Sequence, residues 1–171
     1  MRKIDNYFKY FIKEVGKYNL GIHQLYSGIS LEEINKYEEK LGVEFPNIYK
    51  RFLMNFNGGY LFVGPSEIIL LSLSEDKYLE KCLLSEEEVL GWGLDKGNYL
   101  VISSECDGSL SVIDLNNSNK DKTVILNLQL GSEISLKWER LNDWLMYLLE
   151  YGSMLYNYDG TLKGELEDRK S

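Results

Sequence analysis

The sequence predicts an α+β domain in which N-terminal helices and a C-terminal helix pack on one face of a mainly antiparallel sheet of about five or six strands. Three observations carry this prediction. Apolar side chains recur at spacings of three and four over residues 3–18 and 31–56, which is the helical period. After Gly59 the pattern changes to short apolar runs with a hairpin signal at Asp107-Gly108. The helical period then returns between residues 138 and 149. Helices at both ends with strands between them are the element order of an α+β domain.

In the first segment Ile4, Tyr7, Phe8, Phe11, Ile12 and Val15 share a helical face, with Lys9, Lys13 and Glu14 opposite. Gly16 begins its end. A helix lying on a membrane surface carries a more cationic polar face, so packing against the following helices is expected. Residues 19–29 read as a connection. It holds His23, the only histidine, which is read as a packing or surface residue. Ser30 followed by Glu33 is a capping box that starts a helix at Leu31, with Leu31, Ile34, Tyr37 and Leu41 on its stripe and Gly42 at its end. Pro46 suits the first position of the next helix, whose stripe is Tyr49, Phe52, Leu53 and Phe56 and which Asn57, Gly58 and Gly59 close.

Residues 60–63 and 67–73 read as strands divided by Gly64-Pro65, and 75–84 as a short helix with Tyr78, Leu79, Cys82 and Leu83 on one side. Ser85 and Glu88 form a second capping box, opening a helix of about one turn. In the hairpin at 99–115, a two-residue Asp107-Gly108 turn pairs Ile102 with Ile113 and Leu100 with Leu115 on the core face. Val101, Ser103, Glu105, Leu110, Val112 and Asp114 then fall on a mixed, partly solvated face. A further strand covers 123–128. The last helix, about 135–151, carries Trp138, Leu141, Trp144, Leu145, Leu148 and Leu149, and a polar tail follows from about 165.

The length of 171 residues fits one domain, 1–171. A net charge of −8 excludes the phosphate backbone as a natural partner, because nucleic-acid binding draws on Lys and Arg; no nucleic acid is expected. The same field steers a cationic protein inward. Cys82 and Cys106 belong to no metal-binding or disulfide pattern, so reduced, buried or half-buried thiols and no metal or cofactor are expected. The start lacks the apolar run of a secretory leader and no long apolar stretch is present, which predicts a cytoplasmic protein with no membrane partner.

Chemistry has few carriers. One histidine does not build a triad or a His-rich metal site. Residues 91–97, Gly-Trp-Gly-Leu-Asp-Lys-Gly, lack the Gly-Lys-Ser/Thr ending of a phosphate loop and read as a turn. Glu38 sits between Tyr37 and Leu41 and is read as accepting backbone N–H bonds near the Pro46 helix; a hydrolase would need a second carboxylate beside it. Two patches remain as candidate partner-binding residues. One joins the acidic Glu86 and Glu87 to Trp92 and Tyr99 around the glycine-rich turn, and the other comprises Glu105, Asp107 and Asp114 on the hairpin.

Ile34, Glu38, Leu41-Gly42, Phe45-Pro46, Tyr49, Phe52-Leu53 and Asn57-Gly58-Gly59 resemble, in order and spacing, the N-terminal signature of the SUKH superfamily. The resemblance is dense over residues 30–59, and Phe45 stands where leucine is more usual. It implies a non-catalytic domain, because bacterial members are mostly immunity proteins against polymorphic toxins. The expected function is binding and occlusion of a cognate toxin, with an intracellular regulatory scaffold, as in eukaryotic members, the alternative. The acidic surface suits a basic nuclease toxin, and a monomer or weak dimer is expected.

Overall fold

Ser30 opens the first long helix as its side chain predicts. Its hydroxyl accepts from the Glu33 amide at 3.2 Å, while Glu33 Oε2 accepts from the Ser30 amide at 2.8 Å. The computed structural model describes residues 5–74, 81–129, 134 and 136–163. A 3-10 turn, Asn6–Phe8, runs into α1 (Lys9–Val15), followed by β1 (His23–Ser27), α2 (Leu31–Leu41), α3 (Asn47–Asn55), β2 (Phe56–Leu61) and β3 (Ile68–Leu70). Then come α4 (Glu86–Gly91), β4 (Tyr99–Glu105), β5 (Leu110–Asp114), β6 (Ile125–Leu128), β7 (Leu136–Trp138) and α5 (Leu141–Leu155). Among the described residues, seven strands form one antiparallel sheet whose spatial order is the chain order. The fold is α+β, as predicted.

The two strands beyond the expected number are short edges. β1 lies inside the supposed connection and pairs His23 with Leu61 and Leu25 with Gly59. β7 occupies the supposed start of the last helix and pairs Trp138 with Ile125. Trp138 therefore belongs to the sheet, and α5 begins at Leu141. Sheet pairing overrides a spacing, Trp138 to Leu141 to Leu145, that fits a helix equally well.

Helices cover one face of this sheet. Phe8, Phe11, Phe52, Leu53, Trp144 and Leu148 pack there on Leu61, Ile68, Leu70, Leu100, Ile113 and Ile125. The other face, expected to be partly solvated, is sealed as well. Val101, Val112, Leu126 and Leu128 are buried there beneath Leu84, Val89 and Leu94 from α4 and its flanks. The second capping box, Ser85 with Glu88, opens α4 as predicted. Residues 75–80 of the short helix expected at 75–84 lie outside the described residues. Leu83 makes a β-bridge with Leu100, so 82–84 runs beside β4 and is not helical.

The hairpin register also differs. Gly108 donates to Glu105 O, which makes a four-residue connection, 106–109, in place of a two-residue turn. Gly108 alone in it takes a positive φ, 86°. Leu100 consequently pairs with Ile113 rather than Leu115, and a bulge between Val101 and Ser103 restores Leu100, Ile102 and Ile113 to the core face.

Asn57, Gly58 and Gly59 do not close α3 as a left-handed loop; Phe56 is already extended, and the three residues lie in β2. The glycines are needed there because neighbouring strands approach too closely for a side chain. A Cβ on Gly58 would stand 2.6 Å from Leu70 O. Asn57 is buried and bonds Ser72 and Ser74 through Nδ2, while Oδ1 accepts from the Leu73 amide.

Glu38 takes the structural role read from the sequence. Its Oε1 accepts from the Phe45 amide just ahead of α3, and Lys50 Nζ lies 2.8 Å from its carboxylate. Both side chains are largely buried, so Glu38→Gln is expected to lower stability by about 1–3 kcal/mol through loss of the charge-assisted bonds. Chemical denaturation checks this; an unchanged midpoint would contradict the role.

His23 is half-buried against Tyr18 and Phe62, and its Nδ1 accepts from the Phe62 amide at 3.3 Å. Burial pushes its pKa down to about 4. Cys82 is buried, with its thiol pushed up to about 11 chiefly by burial. Cys106 is exposed, contrary to the expectation of two sheltered thiols.

Candidate partner-binding surface

The seven residues singled out from the sequence do not form one surface. Tyr99 is 2% exposed in the second core and its hydroxyl donates to Asp95 O at 2.9 Å. Asp114 is 5% exposed, and its carboxylate accepts from the amides of Asn116 and Asn117 and from both asparagine side chains, holding the turn after β5. Neither has surface to offer a partner. On a strand, a polar residue and a packed one look alike in sequence when the covering element is unknown.

Glu86 and Glu87 are exposed on α4, with Glu86 Oε1 3.7 Å from Lys96 Nζ. Trp92 is half-buried against the second core, closing its edge. Beside it, Leu90 is 77% exposed along a shallow cleft shared with Glu86 and Lys96. This patch lies on the sheet face opposite the main helices.

Glu105 and Asp107 form the second group at the hairpin end. Glu105 pairs with Ile68 across the strands, so its side chain points to the helix-covered face. Its Oε1 is buried with no hydrogen-bond partner among the described residues. On the same face, the hydroxyls of Ser103 and Ser111 are buried without hydrogen-bond partners among the described residues. Asp107 is exposed and accepts from the Ser109 amide at 2.9 Å. Among the described residues neither carboxylate has an ion-pair cation.

α5 supplies the part that the sequence reading missed. Its core stripe is Leu141, Trp144, Leu145, Leu148 and Leu149, but Tyr147, Tyr151 and Met154 form a second stripe at i, i+4 and i+7. Tyr147 stacks toward Tyr151 and lies 4.9 Å from the Trp138 ring. Met154 is 70% exposed. Burial first, then neighbouring charges that include those of Glu105 and Asp107, push both tyrosine hydroxyls up. The spacing of 147, 151 and 154 was the signal available in the sequence.

Burial, reinforced by Asp107, pushes the Glu105 carboxyl up to about 7. Its folded pKa exceeds the unfolded one, so its stabilising contribution is complete below about pH 4.5 and is lost as pH rises through 7. Glu105→Gln is therefore expected to exceed the parent in stability at pH 8 by about 1–2 kcal/mol, after allowance for solvent screening, and to match it near pH 4. His23 has the opposite sign, with stability complete above about pH 6.5 and falling as pH drops toward 4, but it is common to both proteins and cancels. Paired denaturation curves at the two pH values check the difference.

Among the described residues no helix is long and apolar enough to cross a membrane. The uncharacterized protein YnaB of Bacillus subtilis (strain 168) is 35% identical over 106 residues, which cover 61% of this chain and 72% of YnaB. The model of the SMI1 / KNR4 family (SUKH-1) matches residues 28–146, taking in the capped α2, the Glu38 and Asn57 anchors, the hairpin and the start of α5. The chain belongs to the SMI1 / KNR4 family (SUKH-1).

Proposed function

We propose that this chain is a non-catalytic immunity protein that binds a cognate bacterial toxin domain and occludes its active site. Family membership supports an immunity or related role in general. The observation that carries the reading is the hairpin end. There Glu105 and Asp107, without an ion-pair cation among the described residues, lie within electrostatic reach of Tyr147 and Tyr151. Aromatic rings beside unpaired carboxylates are the chemistry of an anchor for a protein's lysine or arginine. A basic nuclease toxin fits this surface and the net charge of −8, because its own substrate surface is positive. The hydrolase alternative finds no support at Glu38, whose carboxylate is engaged by Phe45 and Lys50.

The test is survival of cells expressing a basic nuclease toxin encoded beside this chain, with and without the chain. Protection by the parent, lost in the pair Glu105→Gln and Asp107→Arg while the fold is retained, is the expected result. Absence of protection by the parent removes the immunity reading in favour of a regulatory scaffold. Full protection by the variant removes this surface.

A further inference from the structure

The chain caps α2 and α4 with serine–glutamate boxes, yet α3 and α5 start without a side-chain cap, at Pro46 and Arg140. Both bare starts open on one cleft of about 610 Å³, lined by Asn47, Ile48, Arg140 and Leu141 from the helices and by Lys120 and Thr123 from the β5–β6 connection. Asn47 N donates to Lys120 O at 3.2 Å, which ties the connection to the start of α3. Thr123 is 2% exposed, and its hydroxyl has no partner among the described residues.

The cations at the cleft divide into two kinds. Lys50 and Arg51 are committed, Lys50 to Glu38 and Arg51 through two bonds of 2.7 Å to Asp5. Lys120 and Arg140 are exposed, and their nearest carboxylates, Glu44 at 3.5 Å and Asp143 at 3.9 Å, are at the limit of hydrogen bonding or beyond it. Such exposed pairs contribute little, so their donors remain available. Two acids, Asp121 and Glu139, also line the cleft, and Glu139 is itself 3.1 Å from Lys122. In a chain of net charge −8, four cations and two acids line the cleft.

We propose that this cleft binds the phosphoryl group of a small phosphorylated organic molecule. A tetrahedral oxyanion has lone pairs for two helix starts, a guanidinium, an ammonium and a hydroxyl at once, and the helix dipoles favour its charge. Tyr7 and Met54 on the adjoining wall receive the organic body, and the volume is that of a small-ligand site. The cleft is at the start of α5, whereas Tyr151 lies nearly three turns along it, so this site is independent of the partner surface.

The test is titration of the full chain, followed by ¹H–¹⁵N spectra, with adenosine monophosphate, adenosine and inorganic phosphate. The expected result is saturable shifts at the Ile48, Leu141 and Asn142 amides with adenosine monophosphate, at a Kd of about 1 mM or below. Adenosine should bind at least about tenfold more weakly, and so should adenosine monophosphate to the pair Lys120→Ala and Arg140→Ala. Phosphate shifting the same amides supports the proposal. Adenosine binding as tightly as its monophosphate, an unchanged affinity in the variant, or no shift at these amides from either phosphate probe overturns it. Thr123→Val, which keeps its shape, should weaken binding a few-fold and guards against a variant that misfolds.

Discussion

Gly59→Ala is expected to lower stability by about 4 kcal/mol, a large share of the roughly 5–15 kcal/mol that holds a domain of this kind together. Gly59 has φ 130°, and a Cβ there would stand 2.1 Å from Gln24 O and 2.8 Å from Leu25 Cα. Both are backbone atoms of β1, which cannot retreat without breaking the ladder that pairs Leu25 with Gly59 and Gln24 with Tyr60. Backbone strain and overpacking each contribute about 1–3 kcal/mol. Gly91→Ala is the matched control: it has nothing within 4 Å and sits at the end of α4, so it should be neutral or slightly stabilising. Urea titrations of the two variants measure the contrast, and a Gly59 variant within about 1 kcal/mol of the parent would refute the close-approach account.

Trp144→Ala should cost about 3–5 kcal/mol. Trp144 is fully buried and heads the largest such side chains, on the face of α5 that closes the main core over Phe8 and Phe11. Removing the indole leaves a cavity bounded by α1, α5 and the sheet, whose strands are held by their neighbours and collapse only in part. Met154→Ala, on the exposed stripe of the same helix, should change stability by less than about 0.5 kcal/mol. Equal effects in the two would mean that α5 had been assigned the wrong buried face.

Trp144 lies where local pattern and tertiary packing coincide, and such features are the legible ones; Gly59, read as closing α3, is not, because the approach of β1 that requires it is set far along the chain. The capping boxes at Ser30 and Ser85 and the buried stripe of α3 are each written within a few residues, and so is the existence of the hairpin, though not its four-residue connection or its register. The edge strands were not legible, because β1 and β7 are short and their burial does not alternate cleanly. Their existence depends on partners far along the chain. Asp114 is a different case: Asn116 and Asn117, two and three residues on, engage its carboxylate in a local turn that the run Asp-Leu-Asn-Asn itself signals. Tyr147 and Tyr151 feel the charges of Glu105 and Asp107 through tertiary packing, about forty residues away in the chain.

The meander, in which every strand lies beside its predecessor in the chain, also bears on how quickly the native state is reached. Neighbour-to-neighbour pairing keeps most loop closures small, so the sheet can zip up progressively at low entropic cost. The long-range exception is the docking of α5 and its C-terminal flank onto the N-terminal segment, sealed by Asn142 Nδ2 to Tyr7 O and by Asn19 N to Tyr158 O, each at 2.8 Å. A closure of this range is expected to come late, so lesions in α5 should accelerate unfolding while leaving the refolding rate nearly untouched, which stopped-flow unfolding and refolding of Trp144→Ala checks.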